Sequence, residues 1–221
     1  MNKQDNPSIE DLRVDYKLNT LEEDDLLASP IAQFEQWFQQ AQESDQLEPN
    51  AMTLATVSKE GIPAARIVLL KGLEEDGFRF YTNYESDKGQ ELTNNPNVAL
   101  VFFWGSLQRQ VRVLGTAQRL SEAASASYFQ SRPKGSQIGA WASPQSTVIS
   151  DRKILEQNVE ELTTTYADQK QLPKPDHWGG YLVRPYQIEF WQGRSSRLHD
   201  RLRYTLVELE PKKWKIERLA P

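Results

Sequence analysis

The spacing of apolar residues changes several times along the chain, and the changes divide it into predicted elements. Residues 1–28 are polar and acidic with little periodicity, which predicts a flexible N-terminal arm. Ser29-Pro30 then provides a helix start, a serine N-cap followed by proline in the first turn. Apolar residues recur after it at helical spacing and predict a core-facing stripe of Ile31, Phe34, Trp37, Phe38 and Ala41.

From Met52 onward the pattern is typical of short strands joined by close turns, which favours antiparallel pairing. Strands are predicted at 52–57, 63–71, 78–82, 98–104, 108–120, 180–183, 187–192 and 214–219. Helices are predicted at 86–94, 121–129 and 151–166, with a loop or short helix at 131–145. Because parallel βαβ alternation is absent, we expect a mainly β protein with added helices (α+β), folded as a closed or split β-barrel. We expect one domain over residues 29–221.

Composition limits the classes of partner. The chain has 221 residues, a net charge of -5 and no cysteine. An acidic chain is a poor general binder of nucleic acid, so an anion site requires local convergence of Arg and Lys. The lack of cysteine removes disulfides, thiolate nucleophiles and cysteine-ligated metals, and no metal site is predicted. No apolar run is long enough for a bilayer and the first residues lack a signal-peptide core, so we expect a cytoplasmic protein without a membrane partner.

Cationic residues are concentrated near the C-terminus, next to Trp191. Within ten positions the chain carries Arg194, Arg197, His199, Arg201 and Arg203. If residues 197–203 are extended, the last four of these share one face, because side chains on a strand alternate with period two. Such a row suits a flat anionic ligand. A solvated edge strand that uses charge against aggregation explains it equally well.

The same region carries a longer pattern. Gln187-Ile-Glu-Phe-Trp-Gln-Gly193, Arg197-Leu-His-Asp-Arg201 and Glu217-Arg-Leu-Ala-Pro221 resemble the C-terminal signature of the pyridoxine (pyridoxamine) 5′-phosphate oxidase family. The resemblance extends from about residue 51 to the C-terminus. It implies an FMN-binding split β-barrel that forms a homodimer with FMN at the subunit interface.

The resemblance also implies a reaction. Pyridoxine 5′-phosphate and pyridoxamine 5′-phosphate are oxidised to pyridoxal 5′-phosphate, a salvage step in vitamin B6 biosynthesis. A hydride passes from C4′ of the substrate to the flavin, and O2 is the acceptor that yields H2O2. For the amine substrate, hydrolysis of the imine product then gives pyridoxal 5′-phosphate. No nucleophile is required, because the cofactor carries the chemistry and the protein supplies position and charge.

The family pattern assigns cofactor contacts to residues that, taken singly, are explained as solvated charges or polar loop residues. It places Arg66 and Lys88 on the FMN phosphate. The full set of cofactor positions is Arg66, Ile67, Val68, Leu69, Leu70, Lys71, Tyr81, Thr82, Lys88, Gln110, Gln145, Ser146, Trp191 and Arg201. The residue before Lys88 is usually Arg in the family and is Asp87 here, which is unfavourable beside a phosphate unless its side chain points away.

Substrate positions follow from the same pattern. They are Lys71, Tyr128, Arg132, Ser136, Arg197, Leu198 and His199, with Arg13 and Tyr16 of the arm folding over the substrate. Pro133 ends the preceding helix near Ser131, so Tyr128, Arg132 and Ser136 are expected at a helix end and the following loop, as a cup for phosphate. Arg197 and His199 are the candidate catalytic residues against the substrate ring.

Two points stay open at the level of sequence. Arg66 and Lys71 lie five apart on one predicted strand, so they are expected to face opposite sides and to serve two ligands, unless one is a surface charge. A ligand between two subunits lets both be used. The alternatives are another FMN split-barrel oxidoreductase with a different flat substrate, or a non-catalytic carrier of FMN or pyridoxal 5′-phosphate.

Overall fold

The computed structural model describes residues 8–12 and 14–221. Its helices are α1 (Pro30–Gln42), α2 (Asp87–Asn94), α3 (Glu122–Ser131), α4 (Lys134–Ala142) and α5 (Lys153–Thr165). Its strands are β1 (Ala51–Val57), β2 (Pro63–Leu69), β3 (Gly72–Glu74), β4 (Gly77–Asn83), β5 (Asn97–Trp104), β6 (Arg109–Arg119), β7 (Trp178–Gln192), β8 (Asp200–Leu209) and β9 (Lys212–Arg218). The mainly β character and the predicted helices are confirmed. Among the described residues, no helix combines the length and the apolar character that crossing a membrane requires.

The strands form one antiparallel sheet that branches at β7. Its main path is β2-β1-β5-β6-β7-β4-β3, and β8 pairs with both β7 and β9. One edge of β7 pairs with β6, whereas the other pairs first with β4 and then, from Gln187, with β8. The path does not return on itself among the described residues, so the barrel is split rather than closed.

The strands predicted at 180–183 and 187–192 are one continuous strand, so the predicted break is wrong. Arg184-Pro185 lies at the point where β7 changes partner from β4 to β8, and the register with β6 shifts at Leu114/Gly115. Proline lacks the N–H that a strand ladder needs, and it is tolerated there because the ladder is interrupted by a bulge.

The core is an aromatic layer between α1 and the sheet. Phe34 is fully buried and contacts Phe78 and Phe102 at ring-centroid distances of 4.9 and 4.8 Å. Trp37 meets Phe190 edge-on at 5.1 Å. The predicted stripe of α1 is therefore confirmed as a core face, and each such buried side chain contributes about 1.5–3 kcal/mol. A smaller cluster under α3, α4 and α5 consists of Phe129, Ile138, Leu172 and Trp178.

The condition that residues 197–203 are extended is not met at the start of this segment. Ser195–Arg197 is a 3-10 turn in which Ser196 and Arg197 have φ of 57° and 61°, and β8 begins only at Asp200. Of the four residues expected on one strand face, only Arg201 and Arg203 lie on the strand. The pattern of alternate charges failed here because a tight turn, held by distant contacts, replaces the strand.

The N-terminal segment contacts the body from Tyr16 onward, whereas the described residues before it are exposed. The N–H groups of Lys17 and Leu18 donate to Gln108 Oε1 over 3.0 and 3.3 Å. Leu21 is 3% exposed, and the Tyr204 hydroxyl donates to the Leu27 carbonyl at 2.7 Å. Contacts therefore cross the predicted boundary at residue 28, and flexibility of the arm stays a prediction. Arg13 lies outside the described residues.

Candidate functional site

A cleft of about 600 Å³ lies beside β2 and β4, covered by α3 and α4. Its volume is in the range of small-molecule and cofactor sites. It is lined by Arg66, Ile67, Val68, Leu69, Lys71, Tyr81, Thr82, Asn83, Lys88, Tyr128, Arg132, Ser136, Gly139, Ala140, Ser143, Gln145 and Trp178. Most of the residues predicted from the first two thirds of the chain are thus brought together here.

The cleft is strongly cationic. Arg66, Lys71, Lys88 and Arg132 line it, and no lining residue in the part of the chain that the structure describes is acidic. In a chain with a net charge of -5, this is the local convergence that an anion site requires.

Arg66 and Lys71 line the same cleft, which corrects the argument from strand parity. Strand β2 ends at Leu69, and Lys71 lies in the link to β3, where its N–H donates to the Arg79 carbonyl at 2.8 Å. Alternation holds only along a continuous strand, so the chain can turn Lys71 to the side of Arg66.

Arg66 is anchored from below by the neighbouring elements. Its Nη2 lies 3.0 Å from Glu91 Oε2 of α2, and its Nη1 donates to Thr56 of β1, which in turn donates to Glu91. The guanidinium is therefore held in one orientation at the cleft. Part of its donor capacity remains for a ligand, since Arg carries five N–H groups.

Lys88 stands at the start of α2, where the helix dipole also favours an anion. Its Nζ lies 3.3 Å from Ser86 Oγ, the N-cap, and 3.3 Å from Gln145 Oε1, which also accepts from the Thr82 hydroxyl. Burial, and then the nearby charge of Arg66, lower the pKa of Lys88. An anion bound here would stabilise the charged form of Lys88, which burial and Arg66 disfavour. Asp87 is exposed and does not line the cleft.

One wall of the cleft is a stack of aromatic rings. Tyr81 and Tyr128 stack at 3.8 Å, and Trp178 lies parallel to Tyr81 at 5.4 Å. The guanidinium carbon of Arg132 lies 4.7 Å from the centre of the Trp178 ring. Burial raises the pKa of both tyrosines, so their hydroxyls keep their protons.

Arg132 also carries an unused donor. Its Nη1 is buried and has no hydrogen-bond partner among the described residues, and burial lowers the pKa of the guanidinium. A buried donor without a partner is costly, and a phosphate oxygen in the cleft would satisfy it. Ser136, predicted in a loop, lies on α4 and lines the same cleft.

The predicted ring-contacting residues are in a second cavity, of about 500 Å³, at the far end of β7. It is lined by Leu12, Val14, Asp15, Tyr16, Arg194, Ser196, Arg197 and His199. Within the described chain the two cavities have no lining residue in common. The structure therefore separates Arg197 and His199 from the cleft within one protomer.

His199 is packed and oriented by its neighbours. Its ring lies 4.5 Å from Trp191 and 6.1 Å from Tyr16, and its Nδ1 accepts from the Arg194 N–H at 3.1 Å. Burial, and then the charge of Arg197, lower the pKa of His199, which favours the neutral ring. Leu198 beside it is 68% exposed.

Three predicted flavin contacts lie side by side on the outer face of the sheet. Gln110 of β6 pairs with Trp191 of β7, which pairs with Arg201 of β8. Arg201 Nε donates to Glu189 at 2.9 Å. The same face carries the exposed side chains of Phe103, which pairs with Gln110, and of Ile67 at the cleft.

Besides these three residues, two further predicted cofactor positions line neither cavity. Leu70 is 6% exposed and belongs to the core, and Ser146 is an exposed residue with φ of 71°. Sequence reasoning missed Asn83, Ser143 and Trp178 in the cleft. Trp178 opens the C-terminal signature stretch and could have been noticed there. Gly139 and Ala140 of α4 also line the cleft, where their small side chains leave room for a ligand. Two adjacent small residues within a helix are the sequence signal for this role.

The open antiparallel barrel with its cationic cleft has the fold of the FMN-binding split-barrel class, as its structural neighbours show. The fold matches a solved structure from Nostoc punctiforme, described as a pyridoxamine 5′-phosphate oxidase-related, FMN binding protein, with a TM-score of 0.68 and 19% identity over 87% of this chain and 97% of that one. It matches PhzG from Burkholderia lata, solved with tetrahydrophenazine-1-carboxylic acid, with a TM-score of 0.85 and 30% identity over 92% and 99% of the two chains.

Sequence comparison defines the family. A family described as pyridoxamine 5′-phosphate oxidase matches residues 34–166, and a pyridoxine 5′-phosphate oxidase C-terminal dimerisation region matches residues 178–221. The chain is 54% identical to the pyridoxine/pyridoxamine 5′-phosphate oxidase of Salinibacter ruber over 96% of its length and 98% of that protein's. It is 55% identical to that of Acaryochloris marina, over 97% and 96% of the two chains. The protein belongs to the pyridoxine/pyridoxamine 5′-phosphate oxidase family and is an oxidoreductase.

Proposed function

We propose that this protein oxidises pyridoxine 5′-phosphate and pyridoxamine 5′-phosphate to pyridoxal 5′-phosphate, with FMN as cofactor and O2 as acceptor. The observation that carries the proposal is the cleft itself. The cleft is large enough for a cofactor, and four cationic side chains and an aromatic wall line it. None of the described residues that line it is acidic. Two phosphate groups, one on the cofactor and one on the substrate, account for that many cations in one cleft.

In this proposal Arg66 and Lys88 bind the FMN phosphate. Both line the cleft beside the start of α2, and both are held in place by hydrogen bonds from neighbouring elements. Arg matches phosphate oxygens with a planar fork and Lys adds a point charge. When bound, FMN supplies the hydride acceptor for C4′ of the substrate and the route by which O2 is reduced to H2O2.

Tyr128, Arg132 and Ser136, with Lys71, bind the phosphate of the substrate. The unpaired buried Nη1 of Arg132 supports this role, because a phosphate oxygen would give it an acceptor. The hydroxyls of Tyr128 and Ser136 can donate hydrogen bonds to the same phosphate. These residues fix the substrate at the end away from the reacting carbon. Such positioning lowers the activation free energy of hydride transfer, because the substrate loses translational and rotational freedom on binding rather than in the reaction step.

The substrate ring is held by Arg197 and His199 from a second copy of the chain. Their cavity lies at the far end of β7 from the cleft, so one protomer does not hold a complete site. The outer sheet face with Phe103 and Trp191 is exposed, and residues 178–221 match a dimerisation region. A two-fold dimer presents the same face on both copies and completes two sites at once. The neutral His199 then offers its Nε2–H to the ring, and Arg197 offers a charge.

The test is a spectroscopic titration of the FMN-loaded protein without O2. Pyridoxine 5′-phosphate should bleach the oxidised flavin with formation of pyridoxal 5′-phosphate, and admission of O2 should restore the flavin with formation of H2O2. A flavin that binds but is not reduced by either substrate would make the protein a carrier instead.

A second candidate is oxidation of a carboxylated polycyclic substrate. It is favoured by the similarity to PhzG, whose structure holds such a molecule. This substrate lacks a phosphate and has no use for the cup at Arg132. Replacing Arg132 with Met should therefore abolish turnover of the vitamin B6 phosphates and spare the tricyclic acid, if the second activity exists.

A further inference from the structure

The loop between β7 and β8 is closed at its base by one residue pair. Arg194 Nη1 lies 2.9 Å from Asp200 Oδ2, and the Arg194 N–H donates to His199 Nδ1 at 3.1 Å. Between them, Ser196 and Arg197 adopt left-handed φ values of 57° and 61°. Two successive left-handed residues without glycine persist only where surrounding contacts hold them.

The hydrogen bond to His199 determines which ring nitrogen carries the proton. A backbone N–H can only donate, so Nδ1 is unprotonated and the proton of the neutral ring is on Nε2. Around the ring stand Arg194 and Arg197 of the loop, Asp200 of β8, and Asp15 and Tyr16 of the N-terminal segment.

Asp200 connects this loop to the N-terminal segment. Its side chain is only 12% exposed. Oδ2 also accepts from the Leu21 N–H at 3.1 Å, and Oδ1 lies 3.0 Å from Arg218 Nη1. Arg218 in turn pairs with Glu22 and Glu23 at 2.8 and 2.6 Å. The carboxylate that holds Arg194 is therefore itself held by residues 21–23 and β9.

We propose that Arg194 and Asp200 are positioning residues that hold His199 in its Nε2–H form, and that docking of residues 21–23 on Asp200 and Arg218 strengthens this hold. The inference rests on the proposed function of His199 at the substrate ring. A purely structural ion pair would affect stability but leave the ring tautomer unchanged.

The test combines nitrogen NMR of the histidine rings with kinetics on FMN-loaded enzyme. The chain has only two histidines, so His199→Asn assigns the signals. Arg194→Met keeps the backbone N–H that donates to His199 but removes the ion pair with Asp200 that closes the loop and holds this N–H in place. His199 should then sample both tautomers, and kcat/KM for pyridoxine 5′-phosphate should fall on the order of tenfold at constant FMN content, a loss of about 1.4 kcal/mol. Arg194→Lys should restore part of the Nε2–H population and part of kcat/KM, and Asp200→Asn should resemble Arg194→Met in both measurements.

Arg203→Met is the matched control. Arg203 lies on β8, as Asp200 does, but away from the loop. The variant removes an ion pair to Glu217 that has the same 2.9 Å length as the pair of Arg194 with Asp200. It should leave tautomer and kinetics as in the wild type. Retention of the pure Nε2–H form and full kcat/KM in Arg194→Met would overturn the inference.

The link to the N-terminal segment has its own variant. Glu22→Ala combined with Glu23→Ala removes both acidic partners of Arg218 and should shift the tautomer in the same direction, by less. A double variant with wild-type signals would overturn that link. The NMR readout needs no turnover, so a tautomer shift supports the positioning role even if the protein fails to oxidise the vitamin B6 phosphates.

Discussion

Trp178 and Trp191 lie at opposite ends of strand β7, roughly 40 Å apart along the strand, and each adjoins a different cavity. Trp178 is part of the aromatic wall of the cationic cleft. Trp191 packs on His199 at the second cavity. We therefore expect that a reaction that needs both groups of residues uses two copies of the chain.

Mixed dimers test this arrangement directly. Arg132→Met disables the cleft and Arg197→Met disables the ring-contacting end, so each variant alone should keep roughly a tenth of the wild-type activity or less. In a mixed dimer, one of the two sites combines an intact cleft with an intact partner's Arg197. Because half of randomly formed dimers are mixed, activity should recover to about a quarter of wild type. No recovery after subunit exchange would show that both residues act within one chain.

Lys88→Met should weaken FMN binding. It removes a desolvated cation from the start of α2, and a charged hydrogen bond contributes about 1.5–3 kcal/mol, so Kd should rise roughly ten- to a hundredfold. Fluorescence titration of apoprotein gives Kd, and the released chromophore should be FMN rather than FAD. Lys153→Met, on the exposed start of α5, serves as the control and should bind FMN normally.

Asp87→Arg should change FMN affinity little. Its side chain is exposed and does not line the cleft, although it neighbours Lys88 in sequence. Any gain should be confined to low salt, because exposed charges are screened. A tenfold tighter Kd at physiological ionic strength would contradict this and would mean that Asp87 opposes the phosphate.

Arg197→Met should separate catalysis from cofactor binding. The change keeps apolar bulk and removes the charge and all donors, so kcat/KM should fall roughly ten- to a hundredfold while FMN content stays normal. His199→Asn should cost less, because the amide can keep one hydrogen bond. Loss of FMN from Arg197→Met would assign the residue to the cofactor site. Normal FMN content with full activity would leave it as a surface charge.

The pH dependence should report His199. Burial and Arg197 hold its pKa below the ordinary 6.5, so the ring is neutral above that pH and gains a proton on Nδ1 only as pH falls through the lowered pKa. The acid limb of kcat/KM should therefore have its midpoint below 6.5 and should be absent from His199→Asn. Because the unfolded chain binds this proton more readily, the free energy of unfolding should also decrease as pH falls below 6.5. An acid limb unchanged in His199→Asn would assign it to another group.

Local pattern determined the elements whose conformation depends on near neighbours. The stripe and the serine cap of α1, and the antiparallel pairing of short strands such as β5 and β6, were predicted from spacing and turn residues. The family was also recognisable from motifs alone, and with it the fold class. Periodicity and capping are properties of a few consecutive residues, so they can be read without knowing the rest of the chain.

Tertiary structure decided where those residues meet. Lys71 joins Arg66 in one cleft because β2 ends early, and residues 194–200 form a turn because Asp200 is held by Leu21 and Arg218 from both ends of the chain. β7 continues through Pro185 because its partner changes there. Each outcome depends on contacts between residues far apart in sequence, and such contacts leave no local period from which they could be predicted.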